Sequence, residues 1–99
     1  MSNFHFAKAA DEDILEIAIH SIEIWGLKQS KKYKKELDIC FQFLAENPDI
    51  GRDASIFALD LKRYSYKAHA IFFKTVDDGI FIVRVLGQKM DLEREFLKL

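Results

Sequence analysis

The chain has 99 residues, 49% hydrophobic and 31% charged, with fifteen Lys and Arg against sixteen Asp and Glu and a formal net charge of -1. Apolar content this high and charge this near neutral exclude an intrinsically disordered chain, and four Gly and one Pro exclude collagen-like or linker sequence. One domain over residues 1–99 is expected, burying roughly two-thirds of its unfolded surface.

Phe4 and Phe6 alternate with Asn3 and His5, so the first seven residues read as a short strand. The acids Asp11, Glu12 and Asp13 complement the positive end of a helix dipole, and Asp11 is the candidate N-cap. The first helix is expected from about residue 11 to Trp25, with Ile14, Ala18, Ile22 and Trp25 as its apolar stripe. Gly26 suits a left-handed stop. A second helix is expected from about Lys28 to Asn47, where Tyr33, Leu37, Cys40, Phe41 and Leu44 keep helical spacing. Pro48 ends it, and so short a join makes an antiparallel helix hairpin.

After Pro48 the period changes. Residues 47–53, NPDIGRD, read as a turn region, and strands are expected at about 58–66, 68–75 and 79–86. Val76-Asp77-Asp78-Gly79 forms a hairpin turn, because Asp-Gly readily takes positive φ. Ile80 to Leu86 is apolar on both faces, as a central strand is. In the tail, residues 91–99, Leu92, Phe96 and Leu99 return to helical spacing with Asp91 as a cap. The order β-α-α-β-β-β-α is α+β: an N-terminal strand, an antiparallel helix hairpin packed on one face of an antiparallel sheet, and a short C-terminal helix.

Cys40 is the single cysteine, which excludes an internal disulfide and a Cys-based zinc site. It reads as a small buried hydrophobe. His5 and His20 have no Cys or His at ligand spacing, and no Gly-rich phosphate loop is present, so neither a metal nor a cofactor is expected. No apolar run approaches the roughly 20 residues of a membrane span, and no basic region followed by an apolar stretch marks a signal peptide. The expected location is the cytoplasm. Acids dominate residues 1–27, whereas the basic excess falls within residues 28–75. No segment carries the excess expected of a protein that grips nucleic acid alone.

Four short motifs give the chain a family resemblance. They are the acid-led helix ending in Trp25-Gly26; Leu44-Ala45-Glu46-Asn47-Pro48-Asp49-Ile50-Gly51, close to LAENPxxG; His69-Ala70-Ile71-Phe72-Phe73, close to HxIFY; and Ile82-Val83-Arg84-Val85-Leu86 with Met90-Asp91, close to IxRVLHxxMD. In these motifs, in their order and spacing, the chain resembles the ParE toxins of the ParE/RelE toxin–antitoxin superfamily. Gly87 stands where the family often has His, and Asp60 and Ser65 stand near a common Gly and Pro. The resemblance implies the RelE/ParE-like fold, toxicity through DNA gyrase and neutralisation by a ParD-like antitoxin, with operator DNA reached only through that antitoxin. It also implies two rivals, a RelE-like ribosome-dependent mRNA endoribonuclease and a non-toxic co-repressor module.

RNA cleavage needs a group to activate the 2′-hydroxyl, cations for phosphate charge and an acid for the leaving oxygen. The candidates are Lys62, Arg63, Lys67, His69 and Arg84, which serve equally as contacts to a macromolecular target. Residues 87–99 hold no Tyr or His and offer Asp91, Glu93 and Glu95, which repel phosphate, so a non-catalytic inhibitor is the expectation. His69 reads as a hydrogen-bonded strand residue on the side of Ile71 and Phe73. Arg84 falls on the strand face of Ile80, Ile82 and Leu86, where it needs a partner such as a carboxylate of the tail. Ile17, Ile19, Ile24, Ile39 and Phe43 exceed one core-facing stripe per helix. Either a thick hairpin buries them, or they form a groove for the antitoxin's amphipathic C-terminal segment.

Overall fold

Gly26 joins the two helices by itself. The computed structural model describes residues 2–97. In it helix α1 spans Lys8–Trp25 and helix α2 spans Leu27–Glu46. Gly26, at φ 85°, closes α1 through its N–H to the Ile22 carbonyl and opens α2 through its carbonyl to the Ser30 N–H. That positive-φ conformation, with ψ at 168°, is available to glycine at little steric cost. Ser21 and Ser30 meet across the hairpin, their hydroxyls hydrogen-bonded at 2.8 Å with one donating to the other, and the hydroxyl left with a free proton donates to the Ala18 carbonyl, which lies 3.1 Å from Ser21 and 3.2 Å from Ser30. Such small polar side chains let the helices approach closely while satisfying their own hydrogen bonds. Asn47 caps α2, and Pro48 opens a single 3-10 turn, Pro48–Ile50, as a residue without a backbone N–H can.

Helix α1 departs from the sequence expectation at its start and on its buried face. It begins at Lys8 with Ala7 as N-cap, so Asp11 lies inside the first turn. Its inward residues are Ala10, Asp13, Ile14, Ile17 and Ser21, whereas Ile22 and Trp25 are exposed. The helix is turned so that Ser21 faces Ser30 and the Asp13 carboxylate reaches the sheet. Those two polar contacts override the apolar stripe.

The sheet has five strands in the order β1-β5-β4-β3-β2: β1 Asn3–Phe6, β2 Arg52–Asp53, β3 Lys62–Tyr66, β4 His69–Val76 and β5 Gly79–Gly87. Strands β2 to β5, all after Pro48, pair antiparallel as expected. Strand β1 pairs parallel to β5, with Phe4 opposite Ile80 and Phe6 opposite Ile82, so the whole sheet is mixed. The helix hairpin carries the chain across between these two parallel strands. The strand expected at 58–66 begins only at Lys62. Residues 55–60 form turns with Asp60 at φ 59°, and the added strand β2 lies in the stretch read as a turn.

Both faces of the sheet are covered. On one, Ile71, Phe73, Ile80, Ile82 and Val85 pack under the hairpin against Leu37, Phe41 and Leu44. Phe4, Phe6 and Phe41 meet there in tilted and edge-to-face contacts with centroids 5.4–5.7 Å apart. On the other, Ala54, Leu61, Ala70, Phe72 and Leu86 form a second core, closed by Phe57, Leu92 and Phe96. Helix α3, Leu92–Leu97, lies over this face, and the Asp91 carboxylate accepts the Arg94 N–H as the expected cap. Leu99, expected on the same stripe, lies outside the described residues.

A bulge in β5 separates the two cores. Phe72 faces Arg84 and Phe73 faces Ile82, which leaves Val83 without an opposite residue. Beyond it, Val85 joins the helix side and Leu86 the other. Arg84 therefore does not share the face of Ile80 and Ile82. Its main partner is also not in the tail: Nε and Nη2 donate to the two Asp13 carboxylate oxygens at 2.7 Å each. The tail contributes secondarily through the Glu95 carbonyl at 3.3 Å and its carboxylate at 3.5 Å. Asp13 also accepts the Val85 N–H at 3.0 Å, on the edge of β5 that β1 leaves open.

Candidate functional site

A groove runs between α2 and the edge of β3, lined by Glu36, Ile39, Cys40, Phe43, Tyr64 and Tyr66. Its floor follows from two periods. Ile39 and Phe43 are one turn apart on α2, while Tyr64 and Tyr66 alternate with Ser65 and so share the helix-facing side of β3. The groove stays open because β2 pairs only with Lys62 and Arg63, and among the described residues no strand covers the outer edge of Tyr64–Tyr66. Ile39 is 70% exposed and Phe43 45%. Burial pushes the Cys40 thiol up to about 11, so at neutral pH it lines the groove as a neutral hydrophobe.

The groove ends in a polar cluster. Lys67, in the left-handed region at φ 52°, ion-pairs with Glu36, and the Tyr66 hydroxyl donates to the same carboxylate at 3.2 Å. The bonded Lys67 ammonium holds Glu36 below its ordinary value. The Tyr33 hydroxyl and His69 Nδ1 share a 2.7 Å hydrogen bond, and the Tyr33 and Tyr66 rings stack at 6.3 Å. Burial, with Tyr66 next, raises the Tyr33 phenol to about 12. Burial first and His20 second lower the His69 pKa, which favours the neutral ring.

The sequence candidates therefore part company. Ile39 and Phe43 meet at the groove. Ile17 is half-buried and packs against the main core, while Ile19 and Ile24 are exposed on α1. Of the five residues proposed as a charge cluster, Lys67 and His69 share the polar end. Lys62 turns to the Pro48 carbonyl and Asp49. Arg63 stacks over Phe72 on the opposite sheet face, and Arg84 is buried with Asp13. Tyr64, Tyr66 and Glu36 were not singled out from sequence. The alternation of Tyr64 and Tyr66 was legible, but their pairing with α2 was not, because it joins segments about 30 residues apart. Among the described residues no three His, Cys, Asp or Glu gather as metal ligands, and no helix is long and apolar enough to cross a membrane.

The match to a family model places the chain that carries this fold and groove among the toxins of type II toxin–antitoxin systems. The chain belongs to the ParE toxin family: the model of the "ParE toxin of type II toxin-antitoxin system, parDE" matches residues 4–92. Toxin ParE1 of Mycobacterium tuberculosis is 32% identical over 94 residues, 94% of this chain and 96% of that protein. Toxin ParE1 of Caulobacter vibrioides is 28% identical over 91 residues, 92% and 94% of the two chains. A solved structure described as the chromosomal ParDE TA system from P. aeruginosa superposes with a TM-score of 0.73 at 15% identity, over 88% of this chain and 96% of that one, and supports the fold.

Proposed function

We propose that this chain acts in the cytoplasm as a non-catalytic inhibitor of DNA gyrase and that a ParD-like antitoxin neutralises it by docking in the α2–β3 groove. The family match over residues 4–92 carries this reading. Non-catalytic action fits the fate of the basic candidates. Arg84 is occupied by Asp13, Arg63 and Lys62 lie on opposite sheet faces, and His69 is engaged with Tyr33. An RNA-cleaving site needs those groups converged on one phosphate.

Neutralisation fits the groove. Its apolar side chains and unpaired β3 edge suit a peptide that anchors by side chains and aligns its backbone beside a strand. Fully burying an Ile or Phe side chain contributes about 1.5–3 kcal/mol. Ile39 and Phe43 together therefore offset much of the roughly 2–5 kcal/mol needed to order a short peptide. Ile19 and Ile24, exposed on α1 outside the groove, are proposed as a separate contact for the same antitoxin.

The test combines purified chain, gyrase and supercoiled plasmid. Trapped, cleaved DNA that disappears on adding the antitoxin supports the reading. Codon-specific mRNA cleavage in a translating extract, with gyrase unaffected, refutes it.

A further inference from the structure

On α2 the outward residues Lys28, Lys32, Lys35, Ile39 and Phe43 step by four, three, four and four, which places them on one stripe about 22 Å long. Lys31 flanks it. The stripe is basic over its first half and apolar over its second, where it joins the groove.

Among the described residues none of these lysines holds a carboxylate of its own in an ion pair, and Lys32 feels Glu36 only at longer range. Each acid of α2 is engaged elsewhere: Glu36 with Lys67 and Tyr66, Asp38 with Lys34, Glu46 with Gln42. Among the described residues no ion pair involves Lys28, Lys31, Lys32 or Lys35, and all four are exposed. Their position also opposes the helix. Lys28 and Lys31 stand in the first turns of α2, near the positive end of its dipole, with no acid in the first turn to offset them. Self-repulsion and the dipole both disfavour this arrangement in the isolated chain. An anionic partner relieves both.

We infer that the antitoxin segment filling the groove continues along α2 as an acidic stretch over Lys28, Lys31, Lys32 and Lys35, so that α2 reads a partner apolar at one end and anionic at the other. This rests on the proposed neutralisation by an antitoxin. The uninterrupted passage from lysines to Ile39 and Phe43 on one helix face favours a peptide over DNA, whose backbone has no counterpart for an exposed Ile and Phe. Basic residues at the rim set encounter rate and register, while the apolar anchors hold the complex.

The experiment compares the wild-type chain with three variants for binding to the antitoxin encoded beside it, at low and high salt. Lys32→Glu/Lys35→Glu reverses the stripe, Lys34→Glu removes a lysine already paired with Asp38, and Ile39→Asp strikes the apolar half. Thermal melting confirms that each folds. Lys32→Glu/Lys35→Glu is expected to weaken binding roughly tenfold or more at low salt, mainly through slower association, with the difference shrinking at high salt. Lys34→Glu is expected to stay within about twofold of wild type. Equal affinity for wild type and Lys32→Glu/Lys35→Glu, with binding lost in Ile39→Asp, overturns the acidic stretch and leaves the groove reading standing. A double reversal that spares antitoxin binding but abolishes trapping of gyrase-cleaved plasmid overturns it in favour of a DNA contact. Failure of the wild-type chain to bind the antitoxin overturns the functional reading, and this inference with it.

Discussion

Replacing Asp13 by Ala removes one partner of a buried, bidentate ion pair and the acceptor of a backbone N–H at the same time. Asp13 and Arg84 are each 8% exposed, and their contacts tie α1 to the open edge of β5. Arg84 then keeps only its longer contacts to Glu95, so the loss approaches that of a buried pair broken on one side, about 3–5 kcal/mol, and an orphaned buried N–H at Val85 costs about 1–3 kcal/mol more. The total, about 4–8 kcal/mol, is comparable with the whole stability of a domain, about 5–15 kcal/mol. At about 4–8 °C per kcal/mol for a domain of this size, the melting temperature falls by at least about 15 °C. Asp13→Asn keeps an acceptor for Val85 and loses only the charge, so it falls at the lower end. Asp13→Leu/Arg84→Met removes both charges and recovers all but the Val85 contribution. Urea unfolding followed by circular dichroism ranks the three. Asp13→Ala within about 1 kcal/mol of wild type refutes the reasoning, as does a double variant less stable than Asp13→Ala.

Gly79→Ala is expected to cost more than about 2 kcal/mol and to loosen β1, because Gly79 sits at φ 152° and an added Cβ lies 1.8 Å from the Asn3 carbonyl oxygen; amide exchange of the β1 residues reads the loosening. Phe96→Ala is expected to cost about 2 kcal/mol in urea unfolding, since the ring lies 5.0 Å from Phe57 and 4.9 Å from Phe72. The His69 pKa is lowered from the ordinary 6.5, so the unfolded chain binds the proton more readily. Its contribution to stability is present above about pH 6.5 and is lost as pH falls through the lower folded value; His69→Gln is expected to flatten that slope in urea unfolding below about pH 6.5. Ile39→Asp, at a 70% exposed site, is expected to leave stability within about 0.5 kcal/mol and to weaken antitoxin binding roughly tenfold or more, by calorimetry.

Local order was legible wherever a pattern repeats within one element. The helix hairpin hinges on Gly26, α2 on its own apolar period and on Pro48, the β4–β5 turn on Asp-Gly, and the α3 cap on Asp91. Each depends on residues a few positions apart, and the family motifs draw on the same short stretches. Tertiary contact decided the rest. Asp11, Glu12 and Asp13 look alike in sequence, yet only Asp13 meets Arg84, 71 residues away, and that contact sets which side of α1 is buried. The bulge at Val83 switches the face of every later β5 residue, a change that strict alternation cannot display. Strand β1 pairs parallel to β5 because the hairpin carries the chain back across the sheet. The groove depends on where β2 stops beside β3, and the sequence pattern offers only its Ile39 and Phe43 as surplus apolar positions. Periodicity shows that a residue faces something. What it faces, a core, a carboxylate or solvent, depends on which elements the fold brings together, so Arg84 reads in sequence as a strand cation seeking a tail carboxylate and is in the structure tied first to Asp13 of α1.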